Sequence, residues 1–323
     1  MFQKAIFIFF ISLFLLGCNN SKQTKKIVSE STGRLTHLLI VCEQQDWDGK
    51  IGKELRTVFS SSLDGLPNPE PIFTVNHLPT SVFSGFTKKN RLVIKINPSD
   101  STYIKINKNA FARPQVLVEL YGETKEDVIS LIQRSKNDII ETFIKQEIKT
   151  RQSQIRQSLF DDSILLEKFG ISMQLPTSYR LAKSSEDFVW LRSDLRTGTK
   201  DIVVYTVGKK DNENSIDYWV NKRDSIGQIH IPGPVKGSFM GTEERYDAKT
   251  ITTRIAGLEA KEIRGLWDMK NDVMSGPYLM YVIEDKKNKR YLVAEGYLYA
   301  PSLDKREYML ELEAILKSIK FKA

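Results

Sequence analysis

Residues 264–277 gather Trp267, Asp268, Asn271, Asp272 and Met274 between two expected strands and end in Gly276-Pro277. An indole face beside fixed carboxylates and an amide suits a sugar, a peptide or a partner's side chain, so this stretch is the first candidate binding surface. The plain alternative is a strand that ends in a packed Trp267, followed by a polar loop. Trp47-Asp48-Gly49 forms a second group. There Trp47 is either a further binding residue or a staple for the helix that Asp48 caps.

No catalytic residue, metal-ligand set or cofactor motif emerges. The three histidines, His37, His77 and His230, lie far apart in the chain without an acidic partner at ligand spacing. The chain has no His-Glu-x-x-His, Cys-x-x-Cys, Gly-x-Ser-x-Gly, Walker loop or Gly-x-Gly-x-x-Gly. Residues 211–215 begin like an oxygen-rich calcium loop, but Ile216 and the missing turn glycine break that pattern. A polar loop that caps the next helix is the better account. Lys286, Lys287, Lys289 and Arg290 surround Asn288 at an expected hairpin tip, which reads as a solvated turn. Nucleic acid is not an expected partner.

The N-terminus carries chemistry of another kind. Lys4 precedes an apolar run over residues 5–16, the n-region and h-region of a secretory signal peptide. The run is shorter than the ~20 residues that a spanning helix needs. Leu15-Leu16-Gly17-Cys18 resembles a bacterial lipobox. That resemblance implies cleavage after residue 17, and a diacylglyceryl thioether and an N-acyl chain on Cys18. Several acyl chains anchor stably where one is marginal, so the membrane is an expected partner through Cys18. Cys42 then has no partner and reads as a buried structural thiol in the apolar run 37–42. Residues 19–34 are polar and aperiodic, and read as a flexible tether whose Lys22, Lys25 and Lys26 lie near anionic headgroups.

Positioning these groups takes a chain of 323 residues, 41% hydrophobic and 27% charged, with 48 basic and 40 acidic residues and a net charge of +8. This is ordinary globular composition with length for about two domains. It excludes a coiled-coil rod, a polytopic membrane protein and a disulfide scaffold. The division expected is a signal peptide at 1–17, lipidated Cys18 and tether at 18–34, an N-terminal α/β domain at 35–160 and a C-terminal α+β domain at 161–323. The first domain reads β-α-β-β-β-α, with strands near 38–42, 91–96, 103–106 and 115–120 and a helix over 51–60. A long helix starts at Thr124-x-x-Asp127 and runs past Arg151 towards Leu159. The second domain opens with a strand over 169–176 and continues with strands at 188–192 and 202–207. A helix over 215–226, a meander from 250 to 299 and a last helix from about Asp304 complete it.

That order resembles the PsbP-like fold, named for the extrinsic photosystem II subunit. The resemblance rests on the opening at 169–176, Phe-Gly-Ile-Ser-Met-Gln-Leu-Pro, and the closing at 316–321, Leu-Lys-Ser-Ile-Lys-Phe. It implies an α+β fold of two α/β-type domains, the second a PsbP-like antiparallel sheet with flanking helices, and it assigns no function. The motifs at 47–52, 65–71, 264–277 and 295–301 are together similar to a family of Bacteroidota lipoproteins known only as a domain of unknown function. Surface-exported lipoproteins of that phylum carry acidic residues after the cysteine, whereas this tether is basic, which points to a periplasm-facing protein. The expected function is a non-catalytic binding or assembly module of the cell envelope, with an envelope protein or polysaccharide as its further partner. The alternative is a motif-less, glycosidase-like hydrolase acting on an envelope component through two carboxylates in a cleft between the halves.

Overall fold

Four successive residues of strand β1 (His37–Val41), Leu38 to Val41, are buried, as a strand covered on both faces of a parallel sheet must be. In this computed structural model, which describes residues 28–209 and 215–322, β1 lies between β2 (Thr74–Leu78) and β3 (Leu92–Pro98), parallel to both. Strand β5 (Val116–Gly122) continues the parallel order, and β4 (Tyr103–Lys108) closes it antiparallel at the edge. Leu38 and Ile40 face helix α2 (Lys50–Phe59) and α3 (Lys125–Ile155), where Ile51, Leu55, Leu131 and Phe143 pack. Leu39 and Val41 face the other way, onto Phe83. A short helix α1 (Gln44–Asp48) precedes α2.

The start of α3 follows from its sequence. Thr124 Oγ1 accepts from the Asp127 N–H and Asp127 Oδ2 accepts from the Thr124 N–H, which closes a capping box. The helix ends at Ile155, short of Leu159, and its last turns leave the sheet to lie along α6 (Arg306–Leu316). Strand β2 was not expected. Its residues are half-buried or exposed at an edge, so it lacks the apolar run that marks an interior strand.

The stretch expected as tether, 18–34, is docked over its last residues. Its residues 29–34 belong to the N-terminal domain: Thr32 and Ser31 donate backbone hydrogen bonds to Lys89 and Arg113, and the buried Arg91 side chain donates to the carbonyls of Gly33 and Arg34. Glu147 of α3, fully buried, accepts from Arg91 Nε at 2.5 Å and from the Thr36 N–H at 2.6 Å, tying that segment to the helix. Cys18 and residues 19–27 lie outside the described residues, as does most of the calcium-like stretch at 211–215.

The second half forms one antiparallel sheet of eight strands. These are β7 (Arg180–Ser184), β8 (Phe188–Leu195), β9 (Gly198–Gly208), β10 (Phe239–Thr242), β11 (Lys249–Ile255), β12 (Leu258–Lys270), β13 (Ser275–Asp285) and β14 (Arg290–Tyr299). Their order is β10-β12-β13-β14-β9-β8-β7, with β11 also on β12. Along β13 the side chains alternate between two cores. Leu279, Tyr281 and Ile283 pack beneath α6, while Tyr278, Met280 and Val282 pack with Trp219 of α5 (Ile216–His230). Burial on both faces explains why the strand is almost continuously apolar.

The opening of this half differs from expectation. Residues Ser163–Phe169 form helix α4, stopped by Gly170 at φ 69°. Of that stretch only Ile171–Ser172 (β6) form a strand, paired with Lys320–Phe321 (β15), while Pro176 makes an isolated bridge to Leu159. Among the described residues no sheet takes strands from both halves. The molecule is thus an α+β protein of two domains.

Candidate functional site

Helix α6 carries Glu311 and Glu313 in an otherwise apolar stretch, both buried. Glu311 pairs with Lys200 and with Arg151 of α3. Glu313 faces the opposite way, onto β12. Arg264 Nη2 donates to Glu313 Oε2 at 2.7 Å, Arg264 Nε donates to Glu262 Oε1 at 2.6 Å, and Lys317 Nζ donates to Glu313 Oε1 at 2.6 Å. The Tyr281 hydroxyl donates to Glu262 Oε2 at 2.9 Å. Two cations and two carboxylates therefore form a closed, neutral network. Burial pushes the Glu313 carboxyl up, but Arg264 and Lys317 outweigh it and hold it below the ordinary glutamate range.

This network is the floor of a cleft of about 690 Å³ between the two domains, within the size range of small-molecule sites. Leu66, Ile72 and Ile144 wall it from the N-terminal domain, and Leu266, Met309 and Leu310 from the C-terminal domain. The proline-rich stretch 65–71 has no regular structure, as expected, and its place is here. Gly65, at φ 81°, a conformation that favours glycine, turns the chain past β12 beside Arg264.

Three contacts clamp the two domains around the cleft. Glu70 accepts backbone hydrogen bonds from Lys305 and Arg306 at the start of α6. Arg306 donates to the Pro71 carbonyl at 2.7 Å and to Thr74 Oγ1 at 2.9 Å. At the mouth, Lys249 bridges to Asp64 at 2.8 Å. Arg306 also lines the cleft, and its Nε has no hydrogen-bond partner. Burial lowers its affinity for the proton, against Glu307, Glu70 and Asp304, and a guanidinium so placed is still charged at neutral pH.

Both carboxylates at the floor are held by Arg264, and Glu313 is kept ionised. A glycosidase-type general acid needs a raised, not a lowered, pKa. Among the described residues no group of three His, Cys, Asp or Glu side chains could hold a metal ion.

The residues singled out in the sequence are not brought together. Residues 264–270 belong to β12 itself, because β12 and β13 stay paired as far as Asp268 and Ser275. Neighbours along a strand point to opposite faces. Trp267 is only 1% exposed, donates Nε1–H to the Leu298 carbonyl at 3.2 Å and packs edge-on against Tyr297, so its ring offers nothing to a ligand. Asp268 pairs with Lys270 at 3.1 Å. Asn271, at φ 64°, donates to the Gly237 carbonyl, and Asp272 accepts from the Val273 N–H at the hairpin tip. Met274 packs, partly buried, against the core that holds Trp267. Trp47 is stacked on His77, with ring centroids 4.7 Å apart, beneath the Arg56 guanidinium. Cys42 is buried, and burial pushes its thiol up to about 12.

Of the cleft residues that matter most, Glu313 and Arg306 were not singled out in the sequence, and Arg264 entered only as the first residue of the 264–277 segment. The one linear signal was a pair of glutamates in the apolar helix α6.

Residues 31–156 match the family described as a domain of unknown function (DUF8532), and residues 158–318 match another domain of unknown function (DUF4837). No curated protein matches the chain. Among solved structures, the chain is similar to the Saccharomyces cerevisiae Ran-binding protein Mog1p, at 11% identity and a TM-score of 0.33, over 47% of this chain and 90% of that one. It is also similar to LpqN, described as involved in cell envelope biogenesis of Mycobacterium tuberculosis, at 14% identity and a TM-score of 0.29, over 47% of this chain and 83% of that one. The two matched regions adjoin, and the cleft lies where a DUF8532 region meets a DUF4837 region.

Proposed function

We propose that this protein is a lipid-anchored component of the cell envelope, facing the periplasm, that binds an anionic amphiphile between its domains without transforming it. One observation carries the reading: the interdomain cleft combines aliphatic walls with a guanidinium, Arg306, that donates only to neutral oxygens. An acyl chain fits the walls and an acidic head fits the guanidinium. A polysaccharide is the poorer occupant, because Tyr246 is the one aromatic ring among the lining residues. Residues 1–17 as signal peptide and Cys18 as lipidated N-terminus supply the anchor. Among the described residues no helix is long and apolar enough to cross a membrane.

The test is native mass spectrometry of the full mature chain incubated with a mixed bacterial lipid extract. The reading expects one non-covalent adduct of an acidic lipid per chain, released on unfolding. Neutral and acidic lipids bound in proportion to their abundance, or no adduct at all, would count against it.

A further inference from the structure

Residues 29–32 thread between two loops of the N-terminal domain. The Arg113 N–H donates to the Ser29 carbonyl at 2.8 Å, the Ser31 N–H to the Arg113 carbonyl at 3.1 Å, and the Thr32 N–H to the Lys89 carbonyl at 2.9 Å. The described chain, separated from Cys18 by nine residues, therefore begins beside loops 79–91 and 109–115. On these loops Phe86 is 69% exposed, Val82 48% and Phe111 40%. Phe111 lies edge-on to Phe83, with centroids 6.2 Å apart, and Lys88 Nζ sits 5.1 Å above its ring, so the two loops make one surface. Neither loop contains an acid, and both carry cations, Lys88, Lys89 and Arg113, against the one exposed acid, Glu30, of the segment between them. Residues 19–27 add Lys22, Lys25 and Lys26, again with no acid.

Exposed aromatic and aliphatic tips ringed by cations are the pattern of a surface that enters the headgroup layer of an anionic bilayer. Nine residues lie between Cys18 and Val28, at most about 35 Å of chain. A lipid on Cys18 would hold the patch at high effective concentration against its own membrane, where weak insertion suffices. We propose that this face rests on the anionic bilayer holding the anchor, with Phe86, Val82 and Phe111 among the headgroups and Lys88, Lys89 and Arg113 at the phosphates. The proposal rests on Cys18 being the anchor.

Nitroxide labels test it. The full chain, acylated at Cys18 and reconstituted in phosphatidylethanolamine–phosphatidylglycerol vesicles, is labelled through Phe86→Cys, Phe111→Cys or, in the other domain, Ile229→Cys. Native Cys42 is buried and does not compete for label. Collision of the labels at 86 and 111 with an aqueous nickel chelate should fall at least five-fold relative to the label at 229. Adding Lys88→Glu and Lys89→Glu should return the label at 111 towards water, since each basic residue near the surface changes partitioning about five-fold. Labels at 86 and 111 as wet as the one at 229, on a chain that mass spectrometry shows acylated and that sediments with the vesicles, overturn the placement alone. A chain unmodified at Cys18 that stays in the supernatant overturns the anchor and the placement together.

Discussion

The Glu70 carboxylate accepts the backbone N–H of Arg306 at 2.8 Å, so an acid from the N-terminal domain caps the last helix of the C-terminal domain. Its other oxygen takes the Lys305 N–H at 2.7 Å. The first N–H groups of a helix have no partner within it and carry the positive end of its dipole. The cap that α6 lacks in its own domain is thus supplied across the cleft.

Glu70→Ala should destabilise the protein by about 1–2 kcal/mol, the usual effect of losing a cap with its dipole interaction. Glu70→Gln should lose less, because the amide oxygen still accepts. Urea unfolding of both variants measures the difference. Equal losses would mean that the charge of Glu70 carries the effect and the retained hydrogen bond nothing, and no loss in either variant would remove the cap from the account.

Arg264→Leu leaves Glu262 and Glu313 facing each other without their shared cation, and should destabilise by about 3–5 kcal/mol. Adding Glu313→Leu should recover part of that loss, since the two residues act as one unit. The pH dependence follows from the downward shift of Glu313 in the folded protein. A carboxylate lowered on folding contributes stability above its unfolded value, near 4.5, and that contribution disappears as pH falls through the lower folded value. The gap between wild type and Arg264→Leu should therefore be widest near pH 7 and narrow below about pH 4.5. A gap independent of pH would remove Glu313 from the explanation.

Trp267 and its acidic neighbours should separate cleanly. Trp267→Ala should cost about 3–5 kcal/mol as a core truncation. Asp268→Ala with Asp272→Ala should cost about 1 kcal/mol, because both carboxylates are only half-buried and the one ion pair lost, to Lys270, is partly exposed. Melting curves read both. A stable Trp267→Ala would restore that ring as a candidate contact.

How far the sequence could be read is clear from these residues. The capping box of Thr124 and Asp127, the apolar run of β1 and the hairpins of β12 to β14 depend on neighbours in the chain, and local pattern revealed them. Strand β2 and the docking of residues 29–34 depend on backbone pairing with distant segments, and their side chains carry no periodic signal. Trp267 could be read two ways, as a contact or as a packed ring, and the structure shows the packed ring; β12 is buried on both faces, so alternation could not choose between them. The cleft was illegible for a related reason. Leu66, Ile144, Arg264 and Arg306 meet only through the packing of two domains, and no spacing in the chain records that.

The most direct measurement is the titration of the full chain with a dansyl-labelled fatty acid, repeated on Leu66→Trp, which fills the cleft, and on Arg306→Gln, which removes its charge. The account predicts one saturable site per chain, lost in Leu66→Trp and weakened about ten-fold in Arg306→Gln, the ~1.5 kcal/mol or more expected of a hydrogen bond to a charged group. Both variants should keep the circular dichroism spectrum of the wild type. No saturable binding, or binding unchanged in a folded Leu66→Trp chain, would contradict the assignment of the cleft as the binding site.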